Sequence, residues 1–165
     1  IQFALCWALG REALGIAPAL TTRELFTLKI ERELLARYQA GDLAEKRAVL
    51  AQLAGKPLPD GSKVLTPHDQ GAEWYVPPTA LCALIEAVAD LDVTQINPGV
   101  ANKADWASVS FKGGSEVGVL NLTTLVTAKD GTRYCVAASW NDGKAIDEAK
   151  ATSAYASLLA KLARG

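Results

Sequence analysis

Lys112-Gly113-Gly114-Ser115 sets one ammonium group beside two residues without side chains, at the end of the run Trp106 to Lys112. Glycine lets a ligand come close to backbone N–H groups. A lysine next to such donors can hold a carboxylate and stabilise a developing oxyanion, which suits recognition of an acyl compound bearing an acid group. The same residues also read as turn glycines beside a solvated edge lysine that discourages strand pairing. Covalent acyl chemistry further needs an activated nucleophile. Ser62, Ser108, Ser110, Ser115, Ser139, Ser153 and Ser157 all lack a lysine three residues on, so no S-x-x-K pair is present. His68 is the sole histidine and, beside Asp69, reads as part of a surface loop. Glu31 reads as part of a solvated helix face, and Glu73 carries no motif. No second His or Cys stands at metal-ligand spacing, so neither a metal nor another cofactor is expected.

The composition narrows the partners. Half of the 165 residues are apolar and the formal net charge is -1, which suits a packed core and provides no broad field for nucleic acid or an anionic membrane. The longest apolar stretches, Phe3 to Leu9 and Val117 to Val126, are too short or too interrupted to cross a bilayer, so no membrane span is expected. Cys6, Cys82 and Cys135 lie far apart in apolar runs and read as buried free thiols; their odd number argues against a disulfide framework without excluding one bridge. The chain has no methionine and opens on Ile1, which reads as a fragment or processed product.

The elements that would position Lys112 can be read from periodicity. An apolar helix is expected over about 3–15, closed by Gly15. Thr21-Thr22-Arg23-Glu24 has the spacing of a capping box and predicts a helix over about 22–38. Its apolar side is Leu25, Leu28, Leu35 and Tyr38, and its polar side includes Lys29, Glu31, Arg32, Glu33 and Arg37. A short helix follows over 43–53, then a Pro/Gly/Asp-rich loop over 55–71. Pro77-Pro78 starts a helix to about Asp90 with Leu81, Leu84, Ile85 and Val88 as its stripe. A second loop, 97–105, leads to three β-branched runs, Trp106 to Lys112, Val117 to Ala128 and Thr132 to Trp140, with Asp130-Gly131 suited to a tight hairpin. An amphipathic helix over 145–162 closes the chain, with Ile146, Tyr155, Leu158, Leu159 and Leu162 inward. The fold class is α+β: helices and loops over 1–105, then an antiparallel meander and a C-terminal helix over 106–165.

In order and spacing, Lys112 to Thr123, then Asp130 to Asn141, then a helix, resembles the end of the β-lactamase and D,D-peptidase superfamily, whose members carry S-x-x-K, S-D-N and a K-T-G strand. Glu73 to Ile85 is similar to the family's helix before that strand, and Leu9 to Leu14 with Leu20 to Phe26 fits the helical segment after S-D-N. The resemblance implies a partial β-lactamase/transpeptidase-like fold, with 1–165 as the C-terminal portion of one domain. Lys112 would be the K-T-G lysine with a catalytic role. Gly113, Gly114 and Ser115 would bind substrate, with the Ser115 N–H in the oxyanion hole. Gly113 stands where the family has Thr or Ser. The only S-x-N, Ser139-Trp140-Asn141, lies after the strand instead of before it.

The resemblance further implies a parent serine hydrolase that forms an acyl-serine intermediate with a small-molecule β-lactam, peptide or ester. The nucleophile would come from a missing N-terminal part of the same domain, which this chain would need as its partner. Alone, the chain is expected to be inactive. Export to the periplasm or cell surface is implied by the family and not encoded here. The alternative is a non-catalytic α+β binding module, or a degenerate homologue that binds peptidoglycan-like peptides without turnover.

Overall fold

The structure, a computed structural model, describes residues 18–60 and 72–165. The expected first helix, Cys6, Ser62, His68 and Asp69 lie outside the described residues. The chain divides into two compact units, Ile1–Tyr75 and Val76–Gly165.

In the first unit, the Thr21 hydroxyl accepts the Glu24 N–H and the Glu24 carboxylate accepts the Thr21 N–H, so the capping box forms as its spacing predicts. Helix α1 (Thr22–Ile30) then stops at Glu31, and α2 (Arg32–Ala40) starts there. One continuous helix over 22–38 is therefore corrected to two. Glu31 (φ -88°, ψ 76°) leaves the helical region while its N–H still bonds to Thr27 O and its carbonyl accepts from Leu35 N–H. No Gly or Pro marks the break. The bend keeps Leu25, Leu28, Leu35 and Tyr38 in one cluster with Val49 and Leu53 of α3 (Leu43–Leu53). Asp42 caps α3 by accepting the Glu45 N–H.

Lys29, expected on the polar side, is instead buried, with its side chain 1% exposed and its ammonium against the Glu73 carboxylate. Arg23 donates to the Ala54 and Lys56 carbonyls and so ties the start of α1 to the end of α3. Arg37 grips Glu45 through Nε (3.0 Å) and Nη2 (2.6 Å). Burial, helped by the nearby Glu24 charge, raises the Tyr38 phenol above its ordinary range.

The second unit begins with α4 (Pro78–Ala87), whose Pro occupies the first turn where no N–H is needed. Ile85 is fully buried in it, while Leu81, Leu84 and Val88 are half-buried. A short helix, α5 (Asp92–Ile96), and a 3₁₀ turn (Lys103–Asp105) then lead to the sheet. Its strands are β1 (Ser108–Glu116), β2 (Val119–Thr127) and β3 (Arg133–Asn141), in order β1-β2-β3 and antiparallel throughout. The meander is thus present as expected.

Gly118, at φ 83°, turns β1 into β2; a Cβ there would lie 2.2 Å from the Asp142 carbonyl oxygen, so only glycine fits. Lys129-Asp130-Gly131 turns β2 into β3, closed by Ala128 N–H to Thr132 O (2.7 Å). The Asp130 carboxylate accepts the Thr132 N–H, and that bond holds its pKa below the ordinary value.

Alternation sends Val109, Phe111, Leu120, Leu122, Val126 and Val136 to one face. There they pack with Trp106 and with Tyr155, Leu159 and Ala151 of α6 (Glu148–Leu162). Leu158, expected inward, is 45% exposed, and Ala151 takes the inner position instead. The buried Tyr155 hydroxyl donates to Val136 O (2.7 Å) and lies 2.9 Å from Thr124 Oγ1. Its burial raises the phenol pKa against the opposing hydrogen bond with Thr124. Ile85 and Ala89 pack with Leu125 on the other face. Cys82 of α4 and Cys135 of β3 form a disulfide there, so the expectation of free thiols at these two positions is corrected. Cys spacing alone could not show that α4 lies across β3.

Candidate functional site

Lys112 to Ser115 lie within β1, paired with Thr123, Leu122, Asn121 and Leu120 of β2. The run is therefore continuous strand, and the turn falls later, at Val117-Gly118. The reading of Gly113-Gly114 as turn glycines is corrected. Alternation separates the four residues by face. Lys112 and Gly114 share a face with Ser110, whereas Gly113 and Ser115 are on the α6 face with Phe111.

The hydrogen-bond phase of the sheet fixes where the backbone groups point. Ala128 and Thr132 form a hydrogen-bonded pair, so alternate residues of β2 from Val126 down bond to β3 and the others, Thr127 to Val119, bond to β1. Their partners on β1 are Ser108, Ser110, Lys112, Gly114 and Glu116. Val109, Phe111, Gly113 and Ser115 accordingly direct N–H and C=O away from β2, toward an edge that pairs with no other strand among the described residues. The Lys112 ammonium turns onto the outward Gly113 carbonyl. One cation and the Gly113 and Ser115 N–H donors thus line the same strand edge. Such an edge can take an extended acyl or peptide ligand by main-chain pairing.

The two glycines have different causes. A Cβ on Gly113 would lie 2.6 Å from Phe111 Cζ and 3.4 Å from Leu122 Cδ2. The same ring stands over Gly99, where φ is 62° and a Cβ would lie 2.7 Å from the ring. Packing of Phe111 between Gly99 and Gly113 accounts for glycine at both positions. At Gly114 a Cβ would meet nothing within 4 Å, so open space lies beside Lys112.

Sequence reading passed over the support of this strand. The buried Ser110 hydroxyl donates to Ala89 O (3.2 Å) at the end of α4, a carbonyl that also accepts from Gln95 Nε2 (2.9 Å) and Thr94 Oγ1 (3.3 Å). Its signal was a serine inside an alternating strand, between Val109 and Phe111. Asn121 and Thr123 face Gly114 and Lys112 across the ladder, and the Thr123 hydroxyl bonds to Asn121 Oδ1 (3.3 Å). They give the lysine face a polar row that register alone reveals.

Glu73 is the partner of Lys29 in the first unit, and Glu31 bonds to Lys56 (3.0 Å), so both carboxylates have structural roles. Among the described residues no group of three or more His, Cys, Asp or Glu could hold a metal ion, and no helix is long and apolar enough to cross a membrane. Comparison of the chain with models of known protein families and with characterised proteins gives no match.

Proposed function

We propose that this chain supplies the substrate-binding strand of a serine hydrolase of the β-lactamase or D,D-peptidase type, with the acyl-forming serine and its lysine provided by sequence outside these residues. The observation that carries the reading is the open edge of β1, where Lys112 stands among outward Gly113 and Ser115 N–H groups. Support also comes from the order of elements, a lysine-bearing edge strand, two antiparallel strands and a helix covering the opposite face. In this reading the lysine ammonium attracts the substrate carboxylate, and the Ser115 N–H stabilises the oxyanion as the serine attacks the acyl carbon. The test is mass spectrometry of the natural gene product, extended upstream of Ile1, after incubation with a fluorescent penicillin or a fluorophosphonate. An adduct on an upstream serine with the penicillin, lost in Lys112→Ala, is expected. Absence of any adduct on the folded, extended protein would overturn the reading.

A second reading, a module that binds acyl peptides without turnover, is favoured by Gly113. The Phe111 ring occupies the direction in which a carboxylate-binding hydroxyl would project. Equilibrium binding of a peptidoglycan-type peptide by the extended protein, with no covalent adduct, would select it.

A further inference from the structure

The disulfide between α4 and β3 has a consequence for where this protein folds and for what holds β1 in place, and it is independent of the hydrolase reading. Cys82 lies in the first half of α4, and Cys135, near the start of β3, lies opposite Leu125 of the central strand. Their Cα atoms are 5.8 Å apart, within the span that a disulfide bridges without backbone movement. Both residues are half-buried, and Cys135 packs on the cluster of Ile85, Ala89 and Leu125. The turn that follows this helix carries Ala89, whose carbonyl receives the Ser110 hydroxyl of β1. The sulfur bridge and the Ser110 hydrogen bond are thus two ends of one attachment, fixing α4 across β3, β2 and β1. Ser110 is two residues from Lys112 on the same face.

We propose that Cys82–Cys135 forms as the protein folds in an oxidising compartment and acts as the covalent tie that keeps α4 seated on the sheet, and through Ala89 and Ser110 keeps β1 in register beside it. In the forming step the two thiols lose two protons and two electrons and join as one S–S bond. The oxidant is a disulfide-bearing oxidoreductase or glutathione disulfide, which takes up those electrons and protons to become two thiols. A reducing cytosol would leave Cys82 and Cys135 as thiols.

The test uses the full-length protein recovered from its native host and alkylated at once on lysis, then denatured without reductant. Cys82 and Cys135 are expected to escape alkylation and to be recovered in one cross-linked peptide pair. Alkylation of both would overturn the bridge. On the purified folded protein, reduction is expected to lower the melting temperature by about 10 °C. It should also speed amide exchange at Ser110 and Lys112 more than at Leu159 of α6. The Cys82→Ser/Cys135→Ser variant should match the reduced protein. A bridge whose reduction leaves both the melting temperature and the β1 amides unchanged would overturn the tie.

Discussion

At the residue scale the molecule turns on a few side chains whose surroundings contradict their type. Lys29 is a buried cation held by Glu73. Truncation of one member removes a partner from a buried charge, so Glu73→Ala is expected to destabilise the first unit by about 3–5 kcal/mol, whereas a Lys29→Met/Glu73→Leu pair should cost far less. Urea denaturation of both variants checks this asymmetry. Tyr155 is held in its neutral form by burial and donates to Val136 O. Its folded pKa stands above the ordinary phenol value, so its contribution to stability is complete below pH about 10 and is lost as pH climbs through the folded value. Tyr155→Phe is expected to cost about 1 kcal/mol at pH 7, because it removes the buried hydrogen bonds to Val136 O and Thr124 Oγ1, and to reduce the loss of stability above pH 10. Denaturation midpoints measured from pH 7 to 11 report both effects.

At the scale of elements, strand β1 is shaped from both sides. Phe111 fills the space over Gly99 and Gly113 on the α6 face, and Ser110 anchors the other face to α4. Gly113→Thr is expected to destabilise by about 1–3 kcal/mol through overpacking against the ring. Phe111→Leu should rescue much of that loss, and a double-mutant cycle in denaturant measures the coupling. Additive effects would mean that the ring and the glycine are independent. The capping box of α1, the Pro start of α4 and the Asp130-Gly131 hairpin were all legible in sequence because each is decided within four residues. The break at Glu31 was not. It satisfies the packing of α1 and α2 on α3, and no local propensity records that demand.

For the whole molecule, the described residues hold a cation and backbone donors on an open strand edge, and no serine with a lysine three residues on. The 165-residue chain by itself is therefore expected not to hydrolyse a chromogenic cephalosporin. Turnover that survives repurification and disappears in Lys112→Ala would place the nucleophile within this chain and overturn its assignment to sequence outside it. Both outer strands, β1 and β3, pair on one side only among the described residues. The sheet face beside Lys112 carries the half-buried Asn121, the buried Thr123 and the exposed Ser139, so its solvent-facing side chains there are polar.

The sequence alone determined the α+β class, the antiparallel meander, the closing helix and the place of Lys112 in the first β-branched run. These follow from side-chain period and turn chemistry, which neighbouring residues settle among themselves. The tertiary structure alone decided that Lys112 lies within a strand instead of beside a turn, that Gly113 answers to a phenyl ring, that Lys29 is buried, and that Cys82 meets Cys135. Each depends on which residues distant in the chain are packed together, and burial, clash and covalent reach exist only once that packing is in place.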